Sequence, residues 1–237
     1  MTNSKKRVKY YPFVVSQKIA LKTTIFLLVL GTMLYFLFER DHSLSGLNKS
    51  EQLIIAFFGS TSARTAGFNI VDINLWGYPT IFLMLFLMWI GASPGSTGGG
   101  IKTTTFTLAI KIALGFCRGQ RNIEIGNREL GVQTIMKVVS IIIFSIMIIL
   151  SSTMLLLMFD PEKNPVGLLF ESISAFSTVG LSTVNTASLS YNSKFVLILL
   201  MYIGRIGPIL ILTGILPTKK NKILSVTSRK HRNKLIV

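Results

Sequence analysis

The 237-residue chain has little of what soluble enzymes are built from. Charged residues make up 14% of it, against roughly 25% in an average soluble domain. Histidine occurs twice, at His42 and His231, both in charged segments, and cysteine once, at Cys117. A single cysteine excludes an intrachain disulfide, and the scattered histidines form no metal site. Cys117 itself reads as a small apolar residue near a helix end. Acidic residues number 9 against 25 Lys and Arg, for a net charge of +16. A basic chain raises nucleic-acid binding. Here the cations cluster beside apolar segments, the pattern that membrane insertion produces, so no nucleic-acid partner is expected.

What is abundant is apolar surface: 50% hydrophobic residues and a mean hydropathy of +0.58. The natural unit of such a chain is the membrane span, about 20 apolar residues long. The basic segment 1–18 leads to a first span over about Ile19–Phe38, closed by Glu39-Arg40-Asp41. No small-residue cleavage site follows, so the span is read as retained. Glu51–Ala63 is apolar but too short to cross, which suits a helix that enters and turns back. Tyr78–Phe116 is too long for one span and is broken at Gly91–Lys102. After a charged loop over 117–137 come a span over Val138–Phe159, a short apolar segment over Val166–Ser177 and a last span over Phe195–Leu216. The tail, 217–237, is basic and reads as a solvated segment near anionic lipid. Lys and Arg concentrate in the N-terminus, the 117–137 loop and the C-terminus, so these are expected to be cytoplasmic, and both short helices are expected to dip in from outside.

The two halves match without gaps at an offset of 113 residues. Phe57 pairs with Phe170, Thr65 with Thr178, Gly67 with Gly180, Val71 with Val184, Tyr78 with Tyr191 and Ile90-Gly91 with Ile203-Gly204. Internal repeats are frequent in transporters, and unwound backbone at mid-membrane marks their ion sites. The informative element is Thr-x-Gly directly after each short helix: Thr65, Ala66, Gly67, Phe68 in the first half and Thr178, Val179, Gly180, Leu181 in the second. Non-helical backbone in a membrane must be buried in protein or line a cavity. Extended there, it aims carbonyl oxygens at a cation and replaces its hydration shell. The alternative, a glycine turn between packed helices, suits one such segment better than two in register.

The break Gly91-Ala-Ser-Pro-Gly-Ser-Thr-Gly-Gly-Gly-Ile-Lys102 has three readings. Small residues at mid-membrane suit flexible backbone lining a cavity, and hence a gate. A kink at Pro94 is the ordinary alternative. A phosphate-binding loop needs G-x-x-x-x-G-K-[ST], but Ile101 separates Gly100 from Lys102-Thr103, so a membrane NTPase is disfavoured. Arg205, inside the last span, faces a pathway where it would raise the barrier to a cation, or snorkels to the interface. Glu171 is read as a partner of a helix dipole rather than an ion ligand. Asp72 either draws cations to the mouth or is a solvated loop residue, and Arg64, just before the first Thr-x-Gly, is read as a buttress.

These strings resemble the Trk/Ktr/HKT superfamily of potassium transporters, in particular the bacterial Trk/Ktr membrane subunit. The likeness rests on Ser62–Asn69, Gly91–Thr103, Phe170–Ser182 and Ile203–Pro208, within a match over about residues 20–216. It implies an all-α membrane protein of four helix–pore-loop–helix repeats, of which this chain holds two: 19–116, with an intramembrane loop at 91–103, and 138–216. It implies that Gly67 and Gly180 lie in the third and fourth filter strands. It also implies that Gly95, Ser96, Thr97, Gly98, Gly99, Gly100 and Lys102 form a gating loop, and that Arg205 is a pore charge. The transported ion would be potassium, or sodium, held by filter carbonyls with no covalent cofactor and no enzymatic chemistry. The location would be the bacterial inner membrane, and the partners a second copy in a homodimer and a cytoplasmic ring of nucleotide-binding regulatory subunits. Two filter strands cannot encircle an ion. The first half is therefore expected from another chain or a second copy, or else the chain is an assembly-only or inactive half-subunit.

Overall fold

A computed structural model describes residues 11–120 and 129–207. These residues fold into helices without a β-sheet: α1 (Tyr11–Glu39), α2 (Lys49–Ser62), α3 (Tyr78–Trp89), α4 (Thr103–Cys117), α5 (Val132–Phe159), α6 (Pro165–Phe176) and α7 (Tyr191–Ile206). The 1–18 and 117–137 segments, expected as tail and loop, each give up residues to helix, since α1 starts at Tyr11 and α5 at Val132. Residues 121–128 of the expected loop, residues 208–216 of the last span and the basic tail lie outside the described residues.

Helix length follows apolar length. α1 and α5 hold 29 and 28 residues, about 40 Å at 1.5 Å per residue, enough to cross a hydrocarbon core of about 30 Å. α2 and α6 hold 14 and 12 residues, about 20 Å, and stop part-way. Local chemistry sets their starts: the Glu51 carboxylate accepts the Asn48 N–H at 3.1 Å before α2, and Asn164 accepts the Val166 N–H at 3.0 Å with Pro165 opening α6. Large apolar side chains such as Phe26, Val29, Met33, Met147, Leu150 and Met154 cover the outer faces of α1 and α5. A surface of this kind is stable against lipid, not water.

The repeat is present in the backbone. α2 and α6 follow the long helices, each Thr-x-Gly follows a short helix, and single 3-10 turns at Ile73–Leu75 and Thr186–Ser188 precede α3 and α7 at the same offset of 113. α3 packs on α6, so the second short helix lies inside the molecule with nine of its twelve residues buried. Phe170, Phe176 and Leu168 from α6 meet Met84, Leu87 and Met88 from α3 in one core.

The outer ends of each repeat are held by a carboxylate that the offset does not align. Glu39, fully buried at the end of α1, accepts the Gly77 N–H at 3.0 Å. Asp160, just past α5, accepts the Ser190 N–H at 3.1 Å, the Ser190 hydroxyl at 2.9 Å and the Ser193 hydroxyl at 2.5 Å. Gly77 and Ser190 are the N-caps of α3 and α7, so each carboxylate joins the first and third helices of its repeat.

The Ser193 hydroxyl, with Ser190 and the Lys163 charge, outweighs desolvation and holds the Asp160 carboxyl below the usual carboxylate range. A carboxyl with a lowered folded value stabilises fully above its unfolded value, about 4, and loses that stabilisation as pH falls through the folded value. Asp160→Asn should lower the thermal midpoint in detergent at pH 7 by about 2–4 °C. The gap to the wild type should close on acidification below pH 4, and a gap that widened there would contradict the assignment.

Candidate functional site: two Thr-x-Gly segments over a glycine loop

The two Thr-x-Gly segments lie side by side. A Cβ built on Gly67 would fall 2.0 Å from the Val179 carbonyl oxygen, a distance no atom tolerates, so only glycine allows the strands to approach this closely. Both glycines have positive φ, +75° at Gly67 and +98° at Gly180. So do both threonines: Thr65 at +82° and Thr178 at +54°. For a β-branched residue this region is strained, by about 1–3 kcal/mol, and such strain persists where the surroundings enforce it. Its recurrence at equivalent positions makes these segments built features rather than loose turns.

Neighbouring groups hold the backbone in place. The Ser62 hydroxyl donates to the Phe68 carbonyl across the first segment. In the second, the Gly180 N–H donates to Ser174 Oγ at 3.1 Å and the Val179 N–H to the Ser174 carbonyl at 2.9 Å. Glu171 differs from expectation. It is the seventh residue of α6, away from both helix ends, so it is not a dipole partner. Its buried carboxylate accepts the Ser182 hydroxyl at 2.5 Å, the Thr183 N–H at 3.1 Å and the Thr186 hydroxyl at 3.1 Å, binding the chain that follows the second Thr-x-Gly back onto its helix. Asp72 serves locally, accepting the Asn74 N–H at 3.0 Å at the start of a 3-10 turn.

The Gly91–Lys102 break is a loop rather than a Pro94 kink. The chain leaves α3, forms a non-helical excursion closed by a parallel Ile90–Ile101 bridge, and re-enters helix at Thr103. Pro94, Gly95, Ser96 and Thr97 form an exposed tip, whereas Gly98, Gly99 and Gly100 are buried. The buried glycines meet both Thr65 and Thr178. The Gly99 N–H donates to Thr178 Oγ1 at 2.8 Å, and a Cβ on Gly98 would fall 2.6 Å from Thr65 Cγ2. Lys102 Nζ donates back to the Gly98 carbonyl at 2.5 Å and the Ser96 carbonyl at 3.5 Å. Its ammonium is thus engaged by its own loop, unlike the free lysine a phosphate cradle requires.

Arg64 acts as a brace, donating to the Thr24 carbonyl of α1 at 3.2 Å and to the Gly91 carbonyl at the loop's start at 3.3 Å. Arg205, in the last turn of α7, is exposed, and its charge reaches Lys102. No acidic side chain pairs with it among the described residues. The structure therefore brings together all the expected filter and loop residues and sets Arg205 at their edge. The sequence reading missed the Thr178–Gly99 bond, whose only signal was a threonine where glycine would be unstrained.

The described residues thus hold two short helices, two strained Thr-x-Gly segments and a glycine loop in mutual contact. A family model described as a cation transport protein, TrkH, matches residues 13–222. The chain is 42% identical over 194 residues to the Ktr system potassium uptake protein B of Vibrio alginolyticus, covering 81% of this chain and 42% of that protein. It is 32% identical over 194 residues to the potassium/sodium uptake protein NtpJ of Enterococcus hirae, covering 80% and 43%. The crystal structure of the potassium transporter TrkH from Vibrio parahaemolyticus superposes with a TM-score of 0.74 at 22% identity, over 87% of this chain and 46% of that one, a likeness of fold. The chain belongs to the TrkH family of cation transport proteins, membrane transporters rather than enzymes. It spans less than half the length of these relatives.

Gly67→Ala meets both a carbonyl and a disallowed φ, while Gly180→Ala meets only the φ. In dilute detergent, where single chains are measured, Gly180→Ala should cost about 1–2 kcal/mol of stability and Gly67→Ala clearly more. Equal losses in denaturant titration would show that the strands do not touch as described.

Proposed function

We propose that the chain forms one half of a potassium pathway, with the carbonyls of Thr65–Phe68 and Thr178–Leu181 as two strands of its selectivity filter. The single observation that carries this reading is the recurrence of strained Thr-x-Gly at equivalent positions, in contact with each other, at the ends of two short helices. The carbonyl ends of α2 and α6 lead directly into these segments, and the negative ends of helix dipoles favour a cation. The relatives' names, potassium uptake and potassium/sodium uptake, support a monovalent cation. Arg205 at the edge of the loop acts as a pore charge that limits cation passage.

The loop Gly95–Lys102 works as a gate below the filter. Its closed form is held by the Thr178–Gly99 bond and by Lys102 gripping two carbonyls of the loop, and glycine at three successive positions lets it move. The family likeness further supports insertion in a bacterial inner membrane with cytoplasmic termini, a homodimeric assembly and a cytoplasmic nucleotide-binding regulator. A second reading is an assembly-only half.

The test is growth at low potassium of a bacterium lacking its own uptake systems. The wild-type chain, with a first-half partner if needed, should restore growth, and Gly67→Asp with Gly180→Asp should abolish it while still inserting. Insertion without growth in any pairing would favour the assembly-only reading. In the same cells Lys102→Ala should loosen the closed loop and raise cation flux several-fold; unchanged flux would remove Lys102 from the gate.

A further inference from the structure

The junction of the two repeats leaves a gap beside α6. α3 of the first repeat and α5 of the second both pack on α6, and between them lies an open groove of about 370 Å³. Leu85, Ile149 and Ile173, all buried, form its floor. Phe82 and Phe86 on α3 and Ile146 and Leu150 on α5 form its rims, 40–57% exposed. Every wall comes from this chain, so the groove is complete without a further segment. Trp89, the last residue of α3, closes one end. Its indole N–H is the one polar side-chain group among the lining residues, and it already donates to Ser145 Oγ at 3.3 Å. The groove therefore offers a ligand hydrocarbon contact and nothing else.

Its mouth is continuous with the apolar outer face of α5, where Met147, Leu150 and Met154 are exposed to lipid. An apolar recess of this kind holds no water. Left empty, it would forfeit dispersion contacts along all its walls. Its shape selects among apolar occupants. Phe82 to Trp89 is two turns of α3, about 10 Å long, so the groove averages roughly 35 Å² in section. A helix about 10 Å across fills roughly 80 Å². The groove thus takes a hydrocarbon chain and is too narrow for a helix. Its depth fits as well. An exposed Tyr78 opens α3, as aromatic residues do at a membrane surface. Trp89 lies about 16 Å further along, half of a hydrocarbon core of about 30 Å. A lipid tail that enters beside Tyr78 ends at the indole.

We propose that one acyl chain of a membrane phospholipid lies in this groove, its end against the Trp89 ring. The site abuts the base of the glycine loop, because the Trp89 carbonyl accepts the Ile101 N–H at 3.1 Å beside the Ile90–Ile101 bridge.

Trp76 and Trp89 are the two tryptophans of the sequence, so the full chain with Trp76→Phe reports from the groove alone. It is placed in phosphatidylcholine vesicles, either plain or with acyl chains brominated towards their ends; bromine quenches an indole that it touches. Trp89 emission should fall to less than half, and should fall less when the bromines lie near the headgroup. Ile146→Phe with Leu150→Phe, which narrows the groove, should restore at least half of the lost emission. Met154→Phe, on the same helix but outside the groove, should restore none. Unquenched Trp89, the result that a second copy or another protein lying over the groove would give, overturns the proposal. So does quenching that headgroup-side bromines match, or that the narrowed groove leaves unchanged. If Trp76→Phe fails to fold, the same quantities are read as the difference between the unaltered chain and Trp89→Phe.

Discussion

Backbone that is not helical has no means of satisfying itself in hydrocarbon, and the rest of this molecule is arranged around two stretches of it. Thr65–Phe68 and Thr178–Leu181 sit where two short helices stop, their peptide groups are held by Ser62 and Ser174, and the two segments touch at Gly67 and Val179. Long helices α1 and α5 supply the apolar exterior that makes this interior tenable. Carboxylates at Glu39 and Asp160 tie the starts of α3 and α7 to the ends of α1 and α5, closing each repeat around its short helix. Each device would have little purpose without strained backbone to support.

Close approach is the second constraint, and it explains where the glycines fall. Gly67 lies against the Val179 carbonyl, Gly91 against the Gly99 carbonyl, and Gly204 against the Phe176 carbonyl; a Cβ at any of the three would be 2.0 Å or less from an oxygen. The Thr-x-Gly segments, the loop and the C-terminal end of α7 are therefore in backbone contact, and the Gly99–Thr178 bond joins the loop to the second segment directly. The coupling needs no long pathway of side chains.

Much of this was legible in the sequence, because membrane spans, offsets and glycine runs are one-dimensional signals. Span ends at Glu39 and Phe159 fell where the apolar runs stop, whereas α1 and α5 begin at Tyr11 and Val132, ahead of the expected Ile19 and Val138; Thr65, Gly67, Thr178 and Gly180 stood out by spacing alone. What was hidden depends on three-dimensional contact. Glu171 looked like a dipole partner until its carboxylate was seen to clasp the returning chain. The Glu39 and Asp160 clamps escaped because the linkers before α2 and α6 differ in length, which breaks the offset at the residues concerned. Pro94 left a kinked helix open beside the loop reading, since proline looks alike in a kink and in a loop tip.

The most direct test of the account is the position of a heavy monovalent cation in a crystal of the assembled protein grown in thallium salt. The account predicts an anomalous peak on the axis that the two segments flank, coordinated by carbonyls that include those of Ala66, Gly67, Val179 and Gly180. Well-ordered segments with no cation beside them at saturating thallium would contradict it.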